Sequence, residues 1–271
     1  MLNFFKECFV YSATIISALF TLVPEAVFET YTLSDKISDE MNIILLRILC
    51  CIVVFVISGV FNLIYKVIRN EIKIKGKNYN IEIKYGDLFE EKECKKIIPF
   101  DECFTTKVGP NPEDVNPDSI CGQYLRMHSI QDMQALINSA NLKPSKKKSK
   151  YQGKECYTSG KIIQNGEYLL LAFAKLNENG LGELTRKEYI ECLSVLWEEI
   201  DKYYGQKDVC MPILGSGVTR IDGVSITQQE LLDIIIYSYK MSRNKIKTPS
   251  KLKIICKKKD DFSLNKIGES L

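Results

Sequence analysis

Hydrophobic residues fill most of two long runs within the first 70 positions, then return at the spacings of ordinary strands and helices. Phe9–Phe28 runs for about 20 residues with no charge except Glu25, and Ile43–Tyr65 for about 23 with only Arg47 near its start. At roughly 1.5 Å per residue each is long enough to cross a bilayer core of roughly 30 Å. Pro24 and Glu25 fall where the first helix would leave the hydrocarbon, and Arg47 is close enough to an end to snorkel to water. A cleaved signal peptide fits poorly, because the entry holds only Lys6, offset by Glu7, and no small-x-small site follows before the second run. Two buried core helices are the other reading, but so long an uncharged helix is rare in a small soluble domain. The pattern predicts a two-helix transmembrane hairpin over 1–70. The connector carries Glu25, Glu29, Asp35, Asp39 and Glu40 against Lys36, whereas Lys66, Arg69, Lys73, Lys75 and Lys77 follow the second run against Glu71. Basic flanks stay inside. Both termini are therefore expected in the cytoplasm, as in a multi-pass protein of the cell inner membrane.

From position 71 the periods shorten. Glu71–Tyr85 alternates around Gly76-Lys77-Asn78 as two strands or a hairpin, the second ending at Gly86-Asp87-Leu88-Phe89. Cys94–Pro99 reads as a strand that closes on Phe100–Thr106, and the proline-rich Lys107–Asp118 reads as loop. Ser119–Asn141 is helical in pattern with a break near His128–Ile130 and Ser119 as cap. Lys161–Gln164 and Glu167–Lys175 flank Asn165-Gly166, a strong hairpin signal, and the uniformly apolar Leu169–Ala174 suits a central strand covered on both faces. Thr185–Tyr204 is an amphipathic helix opened by a Thr185/Glu188 capping box, with Tyr189, Cys192, Leu193, Leu196 and Ile200 as its core stripe. A strand through Val209, Met211 and Ile213 then ends in Leu214-Gly215-Ser216-Gly217-Val218, before a helix over Ile226–Ser242 and a last strand over Lys251–Lys257. That order predicts an α/β class, a three-layer α/β/α domain over 71–271 with a mixed sheet.

Composition narrows the chemistry. Thirty-seven basic and 34 acidic residues leave a net charge of +3, so no nucleic acid partner is implied. The basic loop Lys143–Lys154 could meet nucleic acid or anionic lipid, but no aromatic residue is interleaved beyond Tyr151, and a solvated loop is the better reading. Ten cysteines form no Cys-x-x-Cys pair and His128 is the one histidine, which argues against a metal site or a Cys–His nucleophile. No cofactor is expected.

Three loops fall at strand ends: Gly86-Asp87-Leu88, Phe100–Thr105 and Pro212–Val218. In that order they resemble the macro domain, an ADP-ribose-binding α/β/α fold. The Ser119-Ile120-Cys121-Gly122-Gln123 segment and the preceding hairpin resemble the macro-domain effectors of Thoeris antiphage defence, over the whole chain. The resemblance implies that Gly86, Asp87 and Leu88 hold the adenine, with the Asp87 carboxylate accepting from its amino group. It places the distal ribose at Asp101, Phe104 and Thr105, with Gly122 close by. The diphosphate would lie on backbone amides of Leu214, Gly215, Ser216, Gly217, Val218 and Thr219, with Arg220 adding charge. Hydrolytic macro domains commonly place asparagines and a glycine run in the second loop; here Asp101 stands there without one. The resemblance thus implies an effector and not an enzyme. Its ligand would be an ADP-ribose-derived signal, a histidine conjugate by family resemblance, made by a partner TIR-domain enzyme. Binding would drive homo-oligomeric assembly, disruption of the lipid bilayer and abortive infection. The competing readings are a membrane-tethered ADP-ribosyl hydrolase, in which Asp101 or Glu102 activates water, and a scaffold that binds nothing.

Overall fold

The structure is a computed structural model that describes residues 2–33, 37–224, 226–259 and 262–267. The chain divides into two compact units, Met1–Arg69 and Asn70–Leu271.

The first unit holds three helices: α1 (Leu2–Leu22), α2 (Glu25–Glu29) and α3 (Asp39–Ile68). The run Phe9–Phe28 is not one helix. Pro24, at the N-cap of α2, has no N–H to give and disfavours helical backbone at the residue before it, so α1 stops at Leu22. The uninterrupted apolar helix is Cys8–Leu22, shorter than the roughly 17 residues a span needs. Only α3, among the described residues, is long and apolar enough to cross a membrane. Ser38 caps it, accepting from Met41 N. The hairpin expectation is therefore met in length and composition by one helix. Arg47 of α3 pairs with Glu25 of α2 at 3.0 Å and lies over the rings of Phe20 and Phe28.

The second unit is built on a mixed sheet. Its strands are β1 (Glu71–Lys75), β2 (Asn80–Tyr85), β3 (Cys94–Asp101), β4 (Ile162–Asn165), β5 (Tyr168–Leu176), β6 (Gly182–Leu184), β7 (Asp208–Pro212), β8 (Arg220–Ile221) and β9 (Leu252–Cys256). Their order is β1-β2-β9-β7-β3-β5-β6-β8, with β4 also paired to β5. From β2 through β5 every pairing is parallel, while β1, β4 and β6 join antiparallel. Side chains alternate across such a sheet, and two cores result. Leu169, Leu171, Phe173, Val209, Met211 and Ile254 pack on one face with α6 (Arg186–Tyr203) and α7 (Gln228–Met241). Ile98, Phe100, Leu170, Ala172, Cys210 and Ile255 pack on the other with α4 (Ile120–Met127) and α5 (Met133–Ser139). This is the expected α/β/α layering. The Thr185/Glu188 box forms as read, Ser119 accepts from Gly122 N at 3.0 Å, and the helix breaks at His128. A second capping box, Thr227/Glu230, starts α7.

Candidate functional site

The parallel strands β2, β3, β5, β7 and β9 end on the same side of the sheet, where open α/β sheets present ligand sites. A cleft of about 590 Å³ opens there, lined by Asp101, Cys121, Ala174, Leu176, the whole Leu214–Thr219 loop, Gln228, Lys257 and Lys259. A narrower recess of about 100 Å³ holds Gly86, Asp87 and Leu88 and shares Ile120, Pro212, Ile213, Ser216, Gln228 and Lys257 with the larger cleft. The first and third expected loops thus meet through common walls.

Each loop is shaped by local bonding. Asp87 is exposed and its Oδ1 accepts from Phe89 N at 2.8 Å, turning the chain after β2. The β3–β5 register slips between Phe100 and Asp101, a bulge that re-aims the strand end at the cleft. Asp101 Oδ1 accepts from Cys103 N at 2.7 Å and from Thr105 N at 3.3 Å. Burial raises the Asp101 carboxyl above its ordinary range and outweighs those bonds, with Glu102 adding to the rise. Burial likewise lifts the Cys121 thiol far above its usual value, so it stays protonated. In the third loop Tyr189 Oη donates to Leu214 O at 3.0 Å, and Ser216 Oγ to Ile213 O at 2.7 Å. Gly215 sits at φ +82°, a conformation that favours glycine, whereas Gly217 faces open space.

Several expected residues lie elsewhere. Phe104, at φ +52°, turns into the core against Phe100 and Tyr157 and does not line the cleft. Thr105 serves Asp101 through its backbone and is not among the lining residues. Gly122 has a packing role, since a Cβ there would overlap Asn116 O and Pro117 Cα. Arg220 is exposed on β8, outside the lining. Glu102 turns away from the cleft and is buried; it accepts from Ser149 Oγ at 2.6 Å and from Leu176 N at 3.2 Å, which ties down the basic loop.

The cations at the cleft are ones the sequence reading passed over. Lys257 and Lys259 follow β9, and Lys259 Nζ donates to Ser216 O at 3.2 Å. Gln228, the first residue of α7, is buried in the wall and donates to Lys257 O at 2.9 Å. The signal available was the basic run Lys257–Lys259 directly after a strand. Lysines, backbone amides of a double-glycine loop and a helix start together suit an anionic group.

Residues 81–257 match the family described as "Thoeris protein ThsA, Macro domain". Thoeris protein ThsA of Bacillus amyloliquefaciens (strain Y2) is 30% identical over 250 residues, 86% of this chain and 84% of that protein. Among solved structures, a mutant of the Oceanobacillus iheyensis macrodomain with ADPR aligns at TM-score 0.46 and 12% identity, covering 70% of this chain and 92% of that one. The macrodomain of Thermus aquaticus DarG aligns at TM-score 0.38 and 13% identity, over 66% and 98%. With a family match across most of its second unit and a relative aligned along most of its length, the chain belongs to the Thoeris ThsA macro-domain family.

Proposed function

We propose that the chain is an antiphage defence effector whose second unit receives an ADP-ribose-derived signal in the cleft and whose first unit carries the response into the membrane. The observation that carries this reading is the joining of the Gly86–Leu88 recess and the Leu214–Thr219 loop into one cleft beside Lys257 and Lys259. A cleft of about 590 Å³ lies inside the roughly 300–1,000 Å³ range of small-ligand sites. Asp87 and the recess would take the base, and the amides of Gly215–Val218 the diphosphate. Lys257 and Lys259 take the charge role that the sequence reading gave to Arg220.

The signal would come from a partner TIR-domain enzyme. In the membrane, α3 would be the spanning helix, and the basic residues that follow it would keep the second unit on the cytoplasmic side. Support comes from the outward apolar faces of α3, where Ile48, Ile52, Val56, Val60 and Phe61 are exposed, unlike the buried core helix of a soluble protein. Assembly of several copies on ligand binding would disturb the bilayer.

A receptor is favoured over a hydrolase by the carboxylates. Asp101 Oδ1 holds two backbone N–H groups and Glu102 faces away, so neither is placed as a free base for water. The deciding experiment is calorimetric titration of the detergent-solubilised chain with ADP-ribose and its histidine conjugate, followed by chromatography of the ligand. Tight binding with the ligand intact is expected. Turnover would move the assignment to the hydrolase, and absence of heat would sink the cleft as a site.

A further inference from the structure

The seam between α1 and α3 holds more polar groups than an anchor needs. Cys8, Ser12, Ser58 and Asn62 are buried there, at 1%, 2%, 8% and 8% exposure, while the outward residues of α3 are apolar. Polar residues between apolar helices commonly hold them together by hydrogen bonds. That accounts for Asn62, whose Nδ2 donates to Cys8 Sγ at 3.5 Å across the seam. It leaves Ser58 unexplained. Ser12 Oγ turns back onto Cys8 O of its own helix at 2.7 Å. Ser58 Oγ is buried with no hydrogen-bond partner. A hydroxyl held that way costs roughly 1–3 kcal/mol, which an alanine or valine would avoid while keeping the helices packed. Water is the partner such a group accepts. Further along, the half-buried seam residues Ile16, Leu19 and Val54 are apolar, and an apolar stretch of that kind keeps a narrow passage dry until it widens.

We propose that Cys8, Ser12, Ser58 and Asn62 line a water-filled passage for small ions when copies of the chain assemble in the bilayer. On this view the membrane response is conduction and not general disordering of lipid. The inference rests on the effector reading above, and the test separates the two.

The full-length chain is placed in phosphatidylethanolamine–phosphatidylglycerol vesicles holding a potassium indicator or a protein-sized dextran, and the histidine conjugate of ADP-ribose is added. Potassium should cross while dextran stays inside. The double substitution Ser12→Leu, Ser58→Leu should cut potassium flux by about tenfold or more, as expected when a polar lining is made apolar. Ligand affinity and ligand-driven growth in apparent mass should not change. As a check independent of that variant's folding, a membrane-impermeant, negatively charged methanethiosulfonate should modify Cys8 and block flux only after ligand is added, and Cys8→Ser should abolish the block. Dextran escaping together with potassium, leucine variants conducting like the parent, or Cys8 staying unmodified during leakage would each overturn the passage and leave the effector standing. A parent chain that binds and assembles but releases neither solute would overturn the effector reading and the passage with it.

Discussion

At the scale of single residues, two glycines of one loop do different work. Gly215 needs its left-handed φ of +82°, and a Cβ there would touch Ile221 and Leu231. Gly217 has ordinary backbone and empty space where a Cβ would stand. Gly217→Glu should therefore fold without strain, with a melting temperature within about 1–2 °C of the parent's, as for a surface change of a few tenths of a kcal/mol. It should nonetheless weaken binding of ADP-ribose derivatives by at least about tenfold, because charged hydrogen bonds of roughly 1.5–3 kcal/mol are lost and a like charge is added. Calorimetry and a thermal scan on the same sample check both halves. Unchanged affinity would displace the diphosphate from this loop. Other site residues were less legible. Gly-Asp-Leu and Gly-Ser-Gly announce backbone turns, which are local and can be read in order. Phe104 gave no hint that it would turn inward, since that depends on Tyr157 arriving from a distant part of the chain. Lys257 and Lys259 became site residues only because β9 inserts between β2 and β7.

Among elements, the helix starts carry the clearest local chemistry. Both long helices of the second unit open with a threonine and a glutamate three positions on. In the first box, burial works to raise the Glu188 carboxyl, but bonds from Lys175 and Thr185 override it and bring it down to about 2. A depressed carboxylate stabilises the fold above its unfolded value of 4.5, and that contribution is lost as pH falls from there toward about 2. Glu188→Gln keeps a capping side chain but loses the Lys175 pair, so its denaturation curve should be flatter over that acid window. Near neutral pH the cost should stay under about 1 kcal/mol, because the pair is partly exposed. A parallel fall in both proteins would show that Glu188 contributes no acid sensitivity. In the second box, Thr227→Ala should cost about 1 kcal/mol by urea denaturation. It should also weaken ligand binding, since Gln228 in the cleft wall follows the cap directly. Strands β6 and β8 escaped the sequence reading because they are three and two residues long. Their pairing is set by β5 and by each other, not by any hydrophobic alternation of their own.

At the scale of the whole molecule, predictions concern the link from ligand to membrane. A reporter fused after Leu271 should be active in the cytoplasm alone, as the acidic connector and basic exit require; a periplasmic signal would sink the cytosolic-ligand reading. Arg47→Leu removes the 3.0 Å pair with Glu25. It should change ligand-induced leakage while leaving affinity for ADP-ribose derivatives within about twofold, because a charge near hydrocarbon persists only where it is paired or wet. Leakage identical to the parent's would make that pair incidental. The sheet edges bear on what happens when copies crowd together. One edge, β1, sets Glu71, Lys73 and Lys75 between its inward isoleucines, and Lys73 pairs with Glu71 at 2.8 Å. The opposite edge ends in the two residues of β8. Charged or very short edges resist pairing with a neighbour's strand. Such edges would leave the assembly proposed above little route into fibre growth, so that it could dissolve when the ligand is withdrawn.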